Sequence, residues 1–156
     1  MEKIRVGILG AAGYTGGELI RVLLNHPQAE IVFANSESNA GNKVYAVHEG
    51  LIGETEMEFS ADMPFDQVDV VFFCFGHGKS EQFLKEHTIP ENVKIIDLAQ
   101  DFRIAGDHDY VYGLPEINKN KIAIGIDTTT APAAKLVNQL SIYSFSSIFQ
   151  RPMDTV

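Results

Sequence analysis

Over the first 122 positions, apolar residues come in short runs separated by glycine or proline turns, and the runs alternate between two kinds of spacing. Lys3 to Leu9, Glu30 to Asn35 and Val93 to Leu98 have strand length and β-branched content. Val68 to Phe75 (VDVVFFCF) is nearly continuous, the pattern of a strand covered on both faces, and predicts a central place in a sheet. Thr15 to Asn25 carries Leu19, Ile20, Val22, Leu23 and Leu24 at helical spacing until His26-Pro27 stops it, and Ser80 to His87 is a shorter helical candidate. Glu54 to Ser60 alternates charged with apolar residues and reads as a half-exposed strand. The order is β-α-β, then β-α-β again. Parallel neighbours need crossover connections, so this order predicts an α/β fold: a doubly wound, mainly parallel, Rossmann-like sheet in a single domain.

The pattern changes at Ala123. Four of the last 34 residues are charged, against 29 of the first 122, and Thr128-Thr129-Thr130 and several serines intervene. A folded domain over 1–122 and a divergent tail over 123–156 are expected, the tail with a helix over Lys135 to Leu140 and a strand over Ser141 to Phe149, or poorly ordered. At 156 residues and 45% hydrophobic content the chain has room for one core of ordinary size.

Net charge of -9 removes the attraction that basic proteins have for nucleic acid or anionic lipid, so neither is an expected partner, and any bound anion must be held locally. A single cysteine, Cys74, excludes an intramolecular disulfide framework and a Cys-based zinc site. The start, MEKIRVGILG, reads as neither signal peptide nor spanning helix, and a reducing cytoplasm is the expected compartment.

The strongest chemical signal is VGILGAAGYTGGEL, where Gly10, Gly13 and Gly16 stand three apart at a strand-to-helix junction. Glycines there allow a tight turn, let a pyrophosphate approach the main chain, and bring helix against strand. The helix's unpaired N–H groups and positive dipole end then face the phosphates. A dinucleotide site is expected on that ground. An acidic residue about twenty positions past the last motif glycine would bond a free ribose hydroxyl, but Gly16 plus twenty is Ser36. Asn35, Ser36 and Ser38 are candidate donors to a 2'-phosphate and Lys43 could neutralise it, whereas Glu37 would repel it or serve NAD. NADP is favoured, with NAD the alternative.

Phe75-Gly76-His77-Gly78-Lys79-Ser80 follows the buried strand and opens a helix, where doubly wound sheets bring ligands. Its end imitates a P-loop, but the glycine required five residues before Gly78 is replaced by Phe73. His77 is kept as a cofactor-side group. Cys74, flanked by phenylalanines, is expected to be an inert, packed thiol. Asp107-His108-Asp109 reads as a solvated turn, since no further ligand is spaced to join it.

Taken in order, VGILGAAGYTGGEL, FGHGKS, IIDLAQDFR and YGLPEIN resemble the N-acetyl-gamma-glutamyl-phosphate reductases, relatives of aspartate-semialdehyde dehydrogenase, over roughly residues 3 to 122. The resemblance implies Gly10, Ala12, Gly13, Tyr14, Thr15 and Gly16 in an NADP pyrophosphate loop, and Ser36 and Ser38 by the adenosine ribose. Members usually carry Arg beside that serine, where this chain has Glu37. His77 and Gly78 match the Pro-His-Gly step near the nicotinamide, with Gly76 replacing proline. Asp97, Leu98, Asp101, Phe102 and Arg103 match DLSADFR, with Ala99 and Gln100 departing, and Tyr112 to Glu116 match YGLPE.

The implied reaction is attack of a cysteine thiolate on an acyl phosphate, loss of phosphate, and hydride transfer from NADPH to the thioester. The family's Asn-Pro-Gly-Cys motif has no counterpart after YGLPE, where Ile122 to Ala131 contains no cysteine, and no length remains for a substrate domain. No catalytic residue is therefore assigned, Thr128 to Thr130 lack an adjacent base, and cofactor binding is the expected capability. A truncated or frame-shifted gene would account for the break at Ala123. The alternative function is a non-catalytic nucleotide-binding or interaction module. Apolar surface left by a missing domain predicts self-association.

Overall fold

A computed structural model describes residues 3–76, 78–99, 101, 102 and 110. The expectations for the tail helix and strand, the threonines at 128–130, the Asp107-His108-Asp109 turn and Tyr112 to Glu116 lie outside the described residues. The elements below belong to a compact unit spanning Met1–His108.

Among the described residues four strands form one parallel sheet: β1 (Ile4–Leu9), β2 (Ala29–Asn35), β3 (Val70–Phe73) and β4 (Lys94–Asp97), in the order β2-β1-β3-β4. Helix α1 (Tyr14–Leu24) connects β1 to β2 and α3 (Lys79–Glu86) connects β3 to β4, with a short α2 (Val44–Val47) between. The two predicted β-α-β units are present with boundaries shifted by one or two residues. All four residues of β3 are buried and the strand lies between β1 and β4, as its unbroken apolar run requires.

The strand pleat divides the core. Leu9, Phe33, Val71 and Phe73 form one cluster with Val68 and Val93, and Phe65, Phe75, Phe83 and Leu84 pack against it. Phe83 of α3 meets Phe73 and Phe75 with ring centroids 5.5 and 5.2 Å apart. Alternation sends Ile4, Val6, Ile8, Val70 and Phe72, also buried, to the opposite face. Apolar surface buried on both faces stabilises the sheet at roughly 25 cal/mol per Å2.

The expected strand over Glu54 to Ser60 is not formed. The alternation is real, with Phe59 buried and Glu58 exposed, but among the described residues it makes two isolated bridges, Lys43 with Glu58 and Asn35 with Ser60. Strand pairing needs a long extended partner. The facing segment turns into α2 directly after Lys43, so the ladder ends at a single step.

Candidate dinucleotide site

The chain leaves β1 toward β2 on one side, while β1's other neighbour is β3. The carboxyl ends of β1 and β3 therefore flank the point where the winding reverses, the place where open α/β sheets bind ligands. The glycine-rich turn follows β1, and Cys74 to Gly76 follows β3.

Gly10 has φ +71°, and a Cβ there would lie 2.8 Å from the Cys74 carbonyl oxygen, so both the turn and the approach of the neighbouring strand require glycine. Gly16 is needed for a different contact: its Cβ would fall 2.6 Å from the Ala11 Cα and carbonyl oxygen, which sets how closely α1 sits on the turn. Hydrogen bonds hold the turn's shape. Ala11 N–H donates to Asn35 O at 2.9 Å, Gly13 N–H to Gly10 O at 3.1 Å, and Cys74 N–H to Leu9 O at 2.9 Å.

Helix α1 starts at Gly13, which supplies no side-chain cap, and its first turn carries no acidic residue. Among the described residues the N–H groups of Ala12, Tyr14, Thr15 and Gly16 have no acceptor, and a helix N-terminus left this way attracts an anion. Tyr14 is 87% exposed beside them. The sequence-predicted residues Gly10, Ala12, Gly13, Tyr14, Thr15 and Gly16 are thus one contiguous feature.

The other long helix differs. Asp101 closes the start of α3: its Oδ1 accepts from Gly78 N–H at 2.7 Å and its Oδ2 from Ser80 N–H at 2.9 Å. Ser80 Oγ donates to Asp97 Oδ1 at 2.9 Å, tying the helix to the end of β4. A carboxylate already occupies the place a phosphate would take in the P-loop imitation. Gly78's amide is committed to this cap, so Gly78 offers a ligand open surface, with nothing within 4 Å of a Cβ built on it or on Gly76. His77 lies outside the described residues.

Beyond β2, Ser36 is buried and Ser38 exposed. Both hydroxyl oxygens accept from Asn39 Nδ2 at 3.1 Å, which leaves each hydroxyl proton for donation. Two expectations are corrected here. The Asn35 amide is not available to a cofactor phosphate, because it is buried and donates to Ser60 O and Ala61 O at 3.2 and 3.1 Å, pinning the end of β2. Lys43 is also engaged elsewhere: Nζ donates to Glu56 O at 2.8 Å and pairs with Glu58 at 3.2 Å. Its charge is already met, and the Glu58 hydrogen bond is the chief cause holding its pKa above the ordinary value.

Cys74 is buried, and desolvation first and the Asp97 charge second push its thiol up to about 12, as expected for an inert packed thiol. Among the described residues no group of three or more metal-ligating side chains is assembled and no helix is long and apolar enough to cross a membrane. Sequence reasoning missed two supports: Asp101, quoted only as part of a motif, and His48, whose Nε2 lies 2.8 Å from Ala11 O. Nothing in the spacing of His48, more than thirty residues after the turn, signals that contact.

The family "Semialdehyde dehydrogenase, NAD binding domain" matches residues 5–124. N-acetyl-gamma-glutamyl-phosphate reductase of Parabacteroides distasonis is 59% identical over 120 residues, covering 76% of this chain and 37% of that protein. The reductase of Bacteroides thetaiotaomicron is 58% identical over 117 residues, covering 74% and 36%. The chain thus spans little more than a third of the length of the curated relatives it matches. Among solved structures, aspartate semialdehyde dehydrogenase with NADP from Candida albicans superposes with TM-score 0.58 at 24% identity, covering 84% of this chain and 41% of that one. That likeness shows the fold.

Proposed function

The chain belongs to the semialdehyde dehydrogenase NAD-binding domain family, and on that premise we propose that its glycine-rich turn binds the pyrophosphate of a nicotinamide dinucleotide, NADP ahead of NAD. The observation that carries this reading is the set of unpaired N–H groups of Ala12, Tyr14, Thr15 and Gly16, at the point where the sheet's winding reverses, beside a second helix start already closed by a carboxylate. Gly10, Gly13 and Gly16 shape the cradle, with Tyr14 and Thr15 at its rim. Ser36 and Ser38 donate to the adenosine ribose or its 2'-phosphate. Their free hydroxyl protons support NADP, while Glu37, exposed between them, favours a free ribose hydroxyl and keeps NAD as the alternative. His77 and Gly78 face the nicotinamide in this reading.

When bound, the dihydronicotinamide supplies a hydride. The wider activity we infer is that of the relatives' printed name, reduction of N-acetylglutamyl phosphate, with this chain contributing the cofactor half. The one thiol it carries is buried and held protonated, so the chain by itself binds cofactor without reducing acyl phosphate. A cytoplasmic setting with small-molecule rather than nucleic-acid or membrane partners accords with the net charge of -9, and self-association is part of the same proposal.

Titration of the full chain with NADPH and with NADH tests the reading, followed by dihydronicotinamide fluorescence because the protein has no tryptophan. Saturable binding, tighter for NADPH, is expected. Absence of saturation with both nucleotides would refute it.

A further inference from the structure

A carbonyl oxygen only accepts, so the 2.8 Å contact between His48 Nε2 and Ala11 O places the imidazole proton on Nε2. In a planar trans peptide the C=O and N–H point in opposite directions. The peptide joining Ala11 to Ala12 therefore directs its oxygen at His48 and its N–H away, into the turn. The preceding peptide is held at both ends, by Ala11 N–H on Asn35 O and by Gly13 N–H on Gly10 O. Of these two peptide planes, the one carrying the unpaired Ala12 N–H has its direction set by His48. The ring can reach because Gly17 has no side chain, a Cβ there falling within 2.4 Å of Nδ1, and Phe59 meets the ring edge-on at 6.0 Å.

We propose that His48 is a positioning residue for the dinucleotide: by holding the Ala11 carbonyl it aims the Ala12 amide at the pyrophosphate. This rests on the dinucleotide reading above and adds a residue that neither the glycine motif nor its spacing contains. The alternative role for the same ring is packing alone, between Gly17 and Phe59, and the two roles part on whether the N–H donor matters.

The test compares His48→Phe, which keeps a flat ring and loses the donor, with His48→Gln, which keeps an N–H at similar reach. NADPH dissociation constants are measured on the full chain, with ligand-free melting curves as the control for folding. His48→Phe is expected to weaken NADPH binding roughly threefold to tenfold, the worth of one hydrogen bond, and His48→Gln to restore it to within about twofold. Unchanged binding in His48→Phe, or a loss in His48→Gln as large as in His48→Phe, would overturn the proposal. Should His48→Phe not fold, 15N–1H spectra of the imidazole in the unaltered protein decide: a proton on Nε2 supports the assignment and a proton on Nδ1 alone overturns it. An unaltered chain that binds neither NADPH nor NADH removes the dinucleotide reading and this inference together. A parent that binds while His48→Phe binds equally well removes only the role of His48.

Discussion

Replacing Gly16 with alanine sets two effects of opposite sign against each other. Gly16 lies in the first turn of α1, and in an open helix the change to alanine stabilises by about 0.5–1 kcal/mol. Here the new Cβ would lie 2.6 Å from Ala11 Cα and O and 2.8 Å from Ala11 C. All three are backbone atoms, so no side-chain rotation relieves the overlap and the helix must move off the turn. Overpacking of this kind costs about 1–3 kcal/mol. Retreat also stretches the Ala11–Asn35 and Ala11–His48 hydrogen bonds, each worth about 0.5–1.5 kcal/mol. The clash wins, with a net loss of about 1–3 kcal/mol, a fall in Tm of about 3–10 °C for a chain of this size. Circular-dichroism melting reads it, with Gly76→Ala as the control because a Cβ there meets nothing within 4 Å. NADPH affinity should fall with it, since the displaced atoms carry the cradle. A Gly16→Ala protein that melts at or above the parent temperature would show that the helix does not press on the turn, and the reasoning about the cradle would fail with it.

Cys74, with its pKa at about 12 against an ordinary 9.0, carries about a thousandfold less thiolate at pH 8 and should react with Ellman's reagent at least about 100-fold more slowly in the folded chain than in guanidinium; fast labelling of the folded chain contradicts this. Removing the α3 cap with Asp101→Ala should lower stability by about 1–2 kcal/mol in urea denaturation, with Asp101→Asn recovering part, and an unmoved midpoint would discredit the cap. For Asp69, burial raises the carboxyl pKa, but the Arg5 hydrogen bonds and charge outweigh it and hold the group below 3.8. A depressed folded pKa contributes stability that is present above 3.8 and lost as pH falls through the folded value. Asp69→Asn should therefore flatten the acid limb of the stability profile below about pH 4, and a limb of unchanged slope counts against the pair.

The strand and helix order, the central place of Val70–Phe73 and the glycine turn from Gly10 to Gly16 were all legible along the chain, because local periodicity and glycine spacing encode them without reference to distant residues. The buried state of Cys74 followed in the same way from its phenylalanine neighbours. Glu54 to Ser60 was misread for a complementary reason: alternation reports which side chains are covered, not whether a partner strand exists. Asn35 and Lys43 looked like phosphate donors because both are polar and close in sequence to Ser36. Their hydrogen-bonding capacity is taken by Ser60, Ala61, Glu56 and Glu58, residues that reach them only when the 36–61 segment folds back.

The choice between two helix starts is of that second kind. Both begin at a glycine after a strand, and although the glycine spacing marks the first as the stronger signal, it does not show which amides of either start are already taken. Asp101 closes α3 from more than twenty residues away, while the start of α1 keeps its amides unpaired and His48 sets the direction of the neighbouring Ala12 N–H. A motif can thus announce that an anion cradle is present, since glycine's freedom is a local property. Which amides stay unpaired, and where they aim, depends on hydrogen bonds between residues far apart in the chain, and those exist only once it has folded.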